Sequence, residues 1–205
     1  MPNSEYKVFA RKYRPRKFAD LIGQQYLVRT LQNAIKTNQI AHAFLLTGIR
    51  GIGKTTTARI IAASLNCTGE DEKQASPQIE PCLKCANCTS LLNDNHPDIL
   101  EIDAASKTGV DDIREIITNA NYTPNFGRYK IYIIDEVHML SNNAFNALLK
   151  TLEEPPSHVK FIFATTEIRK IPLTILSRCQ RFDLRRIDSE MLSEHLKNIC
   201  DKEVI

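Results

Sequence analysis

Short apolar runs alternate with amphipathic stretches through most of the chain, a pattern that predicts an α/β architecture with a mostly parallel sheet flanked by helices. Leu27, Val28, Leu31, Ala34 and Ile35 recur at helical spacing. AFLLT (43–47) reads as a short buried strand, and the stretch from Lys54 to Asn66 as the helix that follows it. DILEI (98–102), KIYIID (130–135) and VKFIFATT (159–166) predict three more strands. Helical runs separate them, one carrying Val110, Ile113, Ile116 and Ile117, the next Phe145, Leu148, Leu149 and Leu152. Ser141 is placed to cap the second run, and EEPP (153–156) ends it, because proline cannot continue a helix.

Two stretches break the alternation. Residues 67–88 are rich in turn-formers and hold four of the six cysteines. After QRFDL (180–184), Asp188 predicts an N-cap for a helix bearing Met191, Leu192, His195, Leu196 and Ile199. The expected organisation is one α/β domain over 1–184, with an insertion at about 67–88. Residues 185–205 then read as the beginning of a helical domain cut short by the chain end. No internal repeat or low-complexity tract is present.

Composition narrows the setting. The chain has 205 residues, 42% hydrophobic and 25% charged, as ordinary globular proteins do. A net charge of +3 does not by itself announce a nucleic-acid binder. No stretch approaches the ~18 apolar residues of a membrane span, and the basic start lacks the apolar segment of a secretory signal. A cytoplasmic, reducing setting is the expectation. The cysteines are then expected to be reduced, metal-bound or catalytic.

GIRGIGKT, Gly48–Thr55, fits G-x-x-x-x-G-K-[ST] between a predicted strand and helix. Glycines there let successive N–H groups converge on phosphate oxygens, and the helix adds its positive dipole end. Lys54 is expected to reach the β- and γ-phosphates of ATP and the Thr55 hydroxyl to ligate Mg²⁺. IYIIDEVH (131–138) ends an apolar strand with Asp135, suited to hold the Mg²⁺ hydration shell, and Glu136, suited to deprotonate water. The alternative for both is a solvent-facing strand-end charge. FIFATTE (161–167) offers Thr166, or Thr165, to a γ-phosphate or attacking water, although threonine also suits strands for packing alone.

Cys82, Cys85 and Cys88 follow C-x-x-C-x-x-C, with Cys67 upstream across a wide gap. Four thiolates can close a tetrahedral zinc shell with no open position, which makes such a site structural. A redox pair and unliganded thiols are the alternatives.

Together, ARKYRPRKFADLIGQ, GIRGIGKT, the four-cysteine insertion, EIDAAS, IDEVHMLS, NALLKTLEEPP, ATT and ILSRC resemble the gamma/tau family of clamp-loader ATPase subunits of bacterial DNA polymerase III. The resemblance runs over about residues 6–200 and implies an AAA+ P-loop ATPase that helps a ring of subunits open the sliding clamp and place it on primed DNA.

It implies ATP/ADP, Mg²⁺ and Zn²⁺ as cofactors. Gly48, Ile49, Arg50, Gly51, Ile52, Gly53, Lys54 and Thr55, with Thr56 beside them, become the nucleotide loop. Asp135 and Glu136 become the magnesium and water-activating carboxylates, and Thr166 the sensor. Cys67, Cys82, Cys85 and Cys88 fall on the family's zinc ligands. Arg14, Pro15, Leu21 and Ile22 become base contacts, a segment that otherwise reads equally as a basic tail.

Arg178 of ILSRC becomes a finger acting in trans on a neighbour's site, with an intrachain ion pair as the alternative. Ser106, Lys107 and Thr108 face a DNA backbone or form an exposed loop. The implied partners are other clamp-loader subunits, the clamp and primer-template DNA. The isolated chain is expected to be monomeric and a poor ATPase. A second functional reading is an ATP-binding scaffold of the replisome with little turnover. Cys179 is expected to be a small buried apolar residue.

Overall fold

A computed structural model describes residues 8–106 and 109–203. Lys107 and Thr108 lie outside the described residues. The elements in chain order are α1 (Phe9–Lys12), α2 (Gln25–Lys36), β1 (Ala43–Thr47), α3 (Lys54–Asn66), α4 (Ala86–Leu92), β2 (Ile99–Asp103) and α5 (Val110–Ala120). They continue with β3 (Lys130–Asp135), α6 (Asn142–Glu153), β4 (Val159–Thr165), α7 (Leu173–Leu176), β5 (Gln180–Asp183) and α8 (Ser189–Glu203). The five strands form one sheet in the order β2-β3-β4-β1-β5, every neighbouring pair parallel.

Alternation along each strand divides the core into two layers. Ala43 and Leu45, Tyr132 and Ile134, and Phe161 and Phe163 face one side. There they meet Ile113 and Ile116 of α5 and Phe145, Leu148 and Leu152 of α6. Phe44 and Leu46, Ile131 and Ile133, and Ile162 and Ala164 face the other side, against Leu27 and Leu31 of α2 and Ile60, Ile61 and Leu65 of α3. Burial on both faces explains why β1, β3 and β4 read as continuous apolar runs.

The strand over Gln180–Asp183 was not expected from its sequence. It lies at the sheet edge, and of its four residues only Phe182 is buried. Ser141 caps α6 as expected, accepting the Ala144 N–H at 3.2 Å, and α6 ends at Glu153 before the two prolines.

One buried charge fixes where β2 and β3 begin. Asp98, at the foot of β2, accepts backbone N–H groups from Asn125 at 2.8 Å and from Phe126 and Gly127 at 2.6 Å each. Burial alone would raise its carboxyl, but these three donors and His96 hold it below the usual carboxylate value. Its contribution to stability is therefore complete above about pH 4, the ordinary carboxylate value, and is lost as pH falls through the depressed folded value. Asp98→Ala is expected to cost about 3 kcal/mol in denaturant unfolding, since charge-assisted bonds are lost and buried donors orphaned. A loss under about 0.5 kcal/mol, the usual range of surface substitutions, would contradict this role.

Candidate nucleotide site and cysteine centre

The carboxyl ends of the strands make one edge. The register sets Thr47 beside both Thr165 and Asp183, and Asp103 beside Asp135. The connections leaving β1 and β4 run to opposite edges of the sheet, so a crevice opens between these neighbours, where open α/β sheets bind ligands.

The loop leaving β1 occupies that crevice. Gly48, Gly51 and Gly53 all have positive φ, at 148°, 80° and 97°. At Gly48 an added Cβ would meet Ile52 Cγ2 at 3.1 Å and the Leu184 carbonyl oxygen at 3.2 Å, so the loop closes tightly at its start. Gly53 caps α3 in the left-handed region, and the Lys54 side chain folds back, donating to the carbonyls of Gly48 at 3.1 Å and Ile49 at 3.2 Å. Lys54 is buried, so its ammonium sits within the loop itself. Ile49 and Arg50 turn their side chains outward.

Thr55 Oγ1 donates to Asp135 Oδ2 at 2.5 Å, joining the loop to the end of β3. Glu136 sits at φ 46°, ψ 45°, a left-handed conformation that is uncommon outside glycine and clusters at functional sites. This turn delivers its carboxylate to Thr166, which donates to Glu136 Oε2 from Oγ1 at 2.9 Å and from its N–H at 3.1 Å. Thr165, by contrast, is buried, in contact with His138 Nδ1 at 3.0 Å and accepting the Glu167 N–H at 3.0 Å. Of the two threonines, the exposed one reaches the acid.

His138 is a participant that sequence reasoning missed. Its ring lies 3.3 Å from Glu136 and 3.5 Å from Glu167 with its side chain only 6% exposed, so it braces the Glu136 carboxylate from inside. A histidine two residues past an acidic pair, in a short 3-10 turn (Val137–Met139), carries no periodic signal that would single it out.

Arg14, Pro15, Leu21 and Ile22 line a cleft of about 660 Å³ together with Gly51, Ile52, Gly53 and Thr56. Arg14 Nε donates to Thr56 Oγ1 at 2.9 Å, which ties the N-terminal segment to the first turn of α3. Gln24 exchanges bonds with the backbone of Arg185, at 2.9 and 3.2 Å, closing the same side.

Arg178 is exposed and stands apart. Its partners are Glu153 Oε1 at 2.5 Å, the Thr174 carbonyl at 2.6 Å and Ser177 Oγ at 3.3 Å; none belongs to the phosphate loop. The intrachain ion pair foreseen as an alternative is thus present, on an exposed guanidinium. Cys179, by contrast, packs against the core, and burial pushes its thiol up to about 12. Ser106 is exposed and bonds back to the Asp103 carbonyl at 2.9 Å.

The sulfurs of Cys67, Cys82, Cys85 and Cys88 lie within 4.8 Å of one another, with Cys82 and Cys88 4.0 Å apart. A tetrahedral zinc with Zn–S of about 2.3 Å needs sulfurs about 3.8 Å apart. Backbone N–H groups point at them: Gly69 and Cys82 at Cys67 Sγ (3.4 and 3.3 Å), and Lys84 and Cys85 at Cys82 Sγ (3.4 and 3.2 Å). Such donors suit thiolates far better than thiols, which accept weakly.

Burial opposes ionisation of Cys85, but hydrogen bonds from the Cys88 N–H and from the hydroxyl and N–H of Thr68 outweigh it and bring the thiol to about 6. Burial, with the charges of Cys67 and Cys85, drives Cys88 strongly the other way. The pocket accommodates one negative sulfur and resists the next, which is the electrostatic problem a divalent cation solves. The four residues fit a structural zinc.

The sheet order, the glycine loop opening α3 and the acid ending β3 define the fold of an AAA+ P-loop ATPase. The chain belongs to a DNA polymerase III subunit family: the family model described as "DNA polymerase III, delta subunit" matches residues 23–188. It is 50% identical over 200 residues to DNA polymerase III subunit tau/gamma of Haemophilus influenzae, covering 98% of this chain and 28% of that protein. Against subunit tau of Bacillus subtilis it is 50% identical over 198 residues, covering 97% and 34%. Against subunit gamma of Buchnera aphidicola subsp. Baizongia pistaciae it is 51% identical over 200 residues, covering 98% and 52%. The chain thus spans between 28% and 52% of the length of these relatives.

Among solved structures, the Thermotoga maritima RuvB Holliday junction branch migration motor superposes with TM-score 0.64 at 21% identity, covering 94% of this chain and 55% of that one. A gamma subunit-related protein of Thermotoga maritima gives 0.52 at 24% identity, covering 80% and 47%. These two likenesses establish the fold. Among the described residues no helix is long and apolar enough to cross a membrane.

Metal analysis of the purified chain is expected to find one zinc per molecule, and Cys88→Ser to release it with a fall in thermal stability. Four freely titratable thiols and no metal would contradict the assignment.

Proposed function

We propose that the chain binds ATP at Gly48–Thr55 and hydrolyses it as an ATPase subunit of the DNA polymerase III clamp loader, coupling turnover to opening and placing a sliding clamp on primed DNA. The observation that carries the ATPase reading is the convergence of the glycine loop, Lys54, Thr55, Asp135, Glu136 and Thr166 on one sheet edge. The clamp-loading setting rests on similarity to tau and gamma subunits, and the clamp, the other subunits and primer-template DNA are its partners. The work belongs in the cytoplasm.

In this reading backbone N–H groups of the loop and the Lys54 ammonium hold the β- and γ-phosphates. Thr55 and Asp135 would hold Mg²⁺, which when bound neutralises charge on the phosphate oxygens. Arg14, Pro15, Leu21 and Ile22 enclose the base end. Glu136, held by Thr166 and braced by His138, takes a proton from the attacking water as oxygen bonds to the γ-phosphorus. The bond to the bridging β–γ oxygen breaks, leaving ADP and phosphate. Thr166 passes the state of the γ-phosphate to Glu136 through its two hydrogen bonds.

Arg178, exposed and without a contact to its own loop, serves the site of a neighbouring subunit. There it must exchange Glu153 for the developing charge on the phosphate. Residues 185–203, including α8, are the start of a helical lid. Ser106, exposed after β2, belongs to a surface that meets the DNA backbone without reading bases, so DNA binding should weaken steeply with salt.

Lys54→Ala is expected to weaken ATP affinity about 10–100-fold, the worth of a charge-assisted hydrogen bond. Glu136→Gln should bind ATP normally while turnover falls about 10²–10⁴-fold. Arg178→Ala should spare ATP binding by its own chain while turnover at the adjoining site of the assembled, DNA-stimulated complex falls about a hundredfold or more. ATP bound tightly by that complex without turnover would favour the scaffold reading. Normal turnover in Glu136→Gln would sink the assignment of the base.

A further inference from the structure

The cysteine module forms part of the wall of the cleft at the phosphate loop. Leu83, Cys88 and Leu91 line that cleft together with Arg14, Ile52 and Thr56. Cys88 is at once a sulfur of the four-cysteine centre and a lining residue. Leu91, three positions on, lies on the same face of α4. Leu83 sits at φ 63° in the turn that wraps Cys82, where the N–H groups of Lys84 and Cys85 point at the Cys82 sulfur. The place of the Leu83 side chain is therefore set by the geometry around that sulfur.

Arg128 ties the module to the frame through the carbonyls of Leu65, Cys67, Gln74 and Ala75, but its interior centres on the four sulfurs. Its own buried cluster consists of Cys67, Cys85 and Cys88, with Cys82 packed against them. A segment this small cannot bury enough apolar surface to order itself, and a structural metal is the usual substitute. On the cleft side α3 grips it through Arg59, which binds Asp94 just past α4 at 2.6 Å and Glu101 of β2 at 2.5 Å. Arg59 itself lines the cleft, one helical turn beyond Thr55. Metal centre, cleft wall and nucleotide helix are thus mechanically continuous.

We infer that the four-cysteine centre is a positioning element for nucleotide binding. Metal held by Cys67, Cys82, Cys85 and Cys88 fixes the Leu83–Leu91 wall, and metal and nucleotide bind with positive linkage. The inference rests on the reading of the loop as an ATP site. Because linkage is reciprocal, metal must strengthen ATP binding by the same factor by which ATP strengthens metal binding.

The test titrates a fluorescent ATP analogue with Mg²⁺ into the 205-residue chain, zinc-loaded and chelator-stripped, and separately times zinc release to a colorimetric chelator with and without ATP. Stripping is expected to weaken affinity about fivefold or more, and saturating ATP to slow zinc release. Leu83→Asn provides a variant that need not unfold, since asparagine tolerates the left-handed backbone and all four thiols remain. It should retain one zinc and still bind the analogue several-fold more weakly. Equal affinity in loaded, stripped and Leu83→Asn proteins, with zinc release indifferent to ATP, would overturn the inference while leaving the ATP site standing. A zinc-loaded wild-type chain that binds no analogue would overturn the ATP site, and the inference with it.

Discussion

Parallel pairing of the strands is the constraint on which everything else depends. Because all strands run one way, their carboxyl ends share an edge, and β1 crosses the core on four apolar residues before it reaches Thr47 there. Thr47, Asp135, Thr165 and Asp183 stand at the carboxyl ends of their strands, along that shared edge. β1 and β3 are not neighbours, since β4 lies between them. The hydrogen bond from Thr55 to Asp135 therefore spans a strand, and it brings the glycine loop and the acid into one site. A shift of one residue in the β3–β4 register would swap the side chains that the shifted strand gives to the two core layers and carry Glu136 away from Thr166.

The cysteine insertion interrupts this frame without disturbing it because it is tied down from both ends. Arg128, just before β3, donates to the carbonyls of Leu65 at 2.5 Å, Gln74 at 2.8 Å, Ala75 at 3.0 Å and Cys67 at 3.4 Å. Two of these close the last turn of α3, where orphaned carbonyls favour a cation. Asn66 exchanges bonds with the backbone of Tyr129 at 2.8 and 2.9 Å. The helix that begins at the phosphate loop thus ends at the module, and the module returns along α4 to the cleft. One helix reports on both centres.

How much was legible in the sequence follows from which signals are local. The strands buried on both faces announced themselves as apolar runs, and the phosphate loop as glycines that must take positive φ. The four cysteines were visible as a cluster, and the structure gathers their sulfurs. β5 escaped because an edge strand with one buried side chain has no pattern to show. His138, Arg59 and the Glu153 partner of Arg178 escaped for a different reason. Each acts through a contact made by tertiary packing, and a lone residue of a common type predicts no such contact. Asp98 was read as the first residue of a strand; it is instead the buried anion that organises residues 125–127.

The central claim is that the loop after β1 and the acid after β3 form one magnesium–nucleotide site. A crystal structure of the chain with Mg²⁺ and a non-hydrolysable ATP analogue tests it most directly. The account predicts the triphosphate within Gly48–Thr55, the metal on Thr55 Oγ1 with Asp135 in its shell, and the base between the Arg14–Ile22 segment and the α4 wall. A nucleotide bound elsewhere, or a metal held away from Thr55 and Asp135, would contradict it.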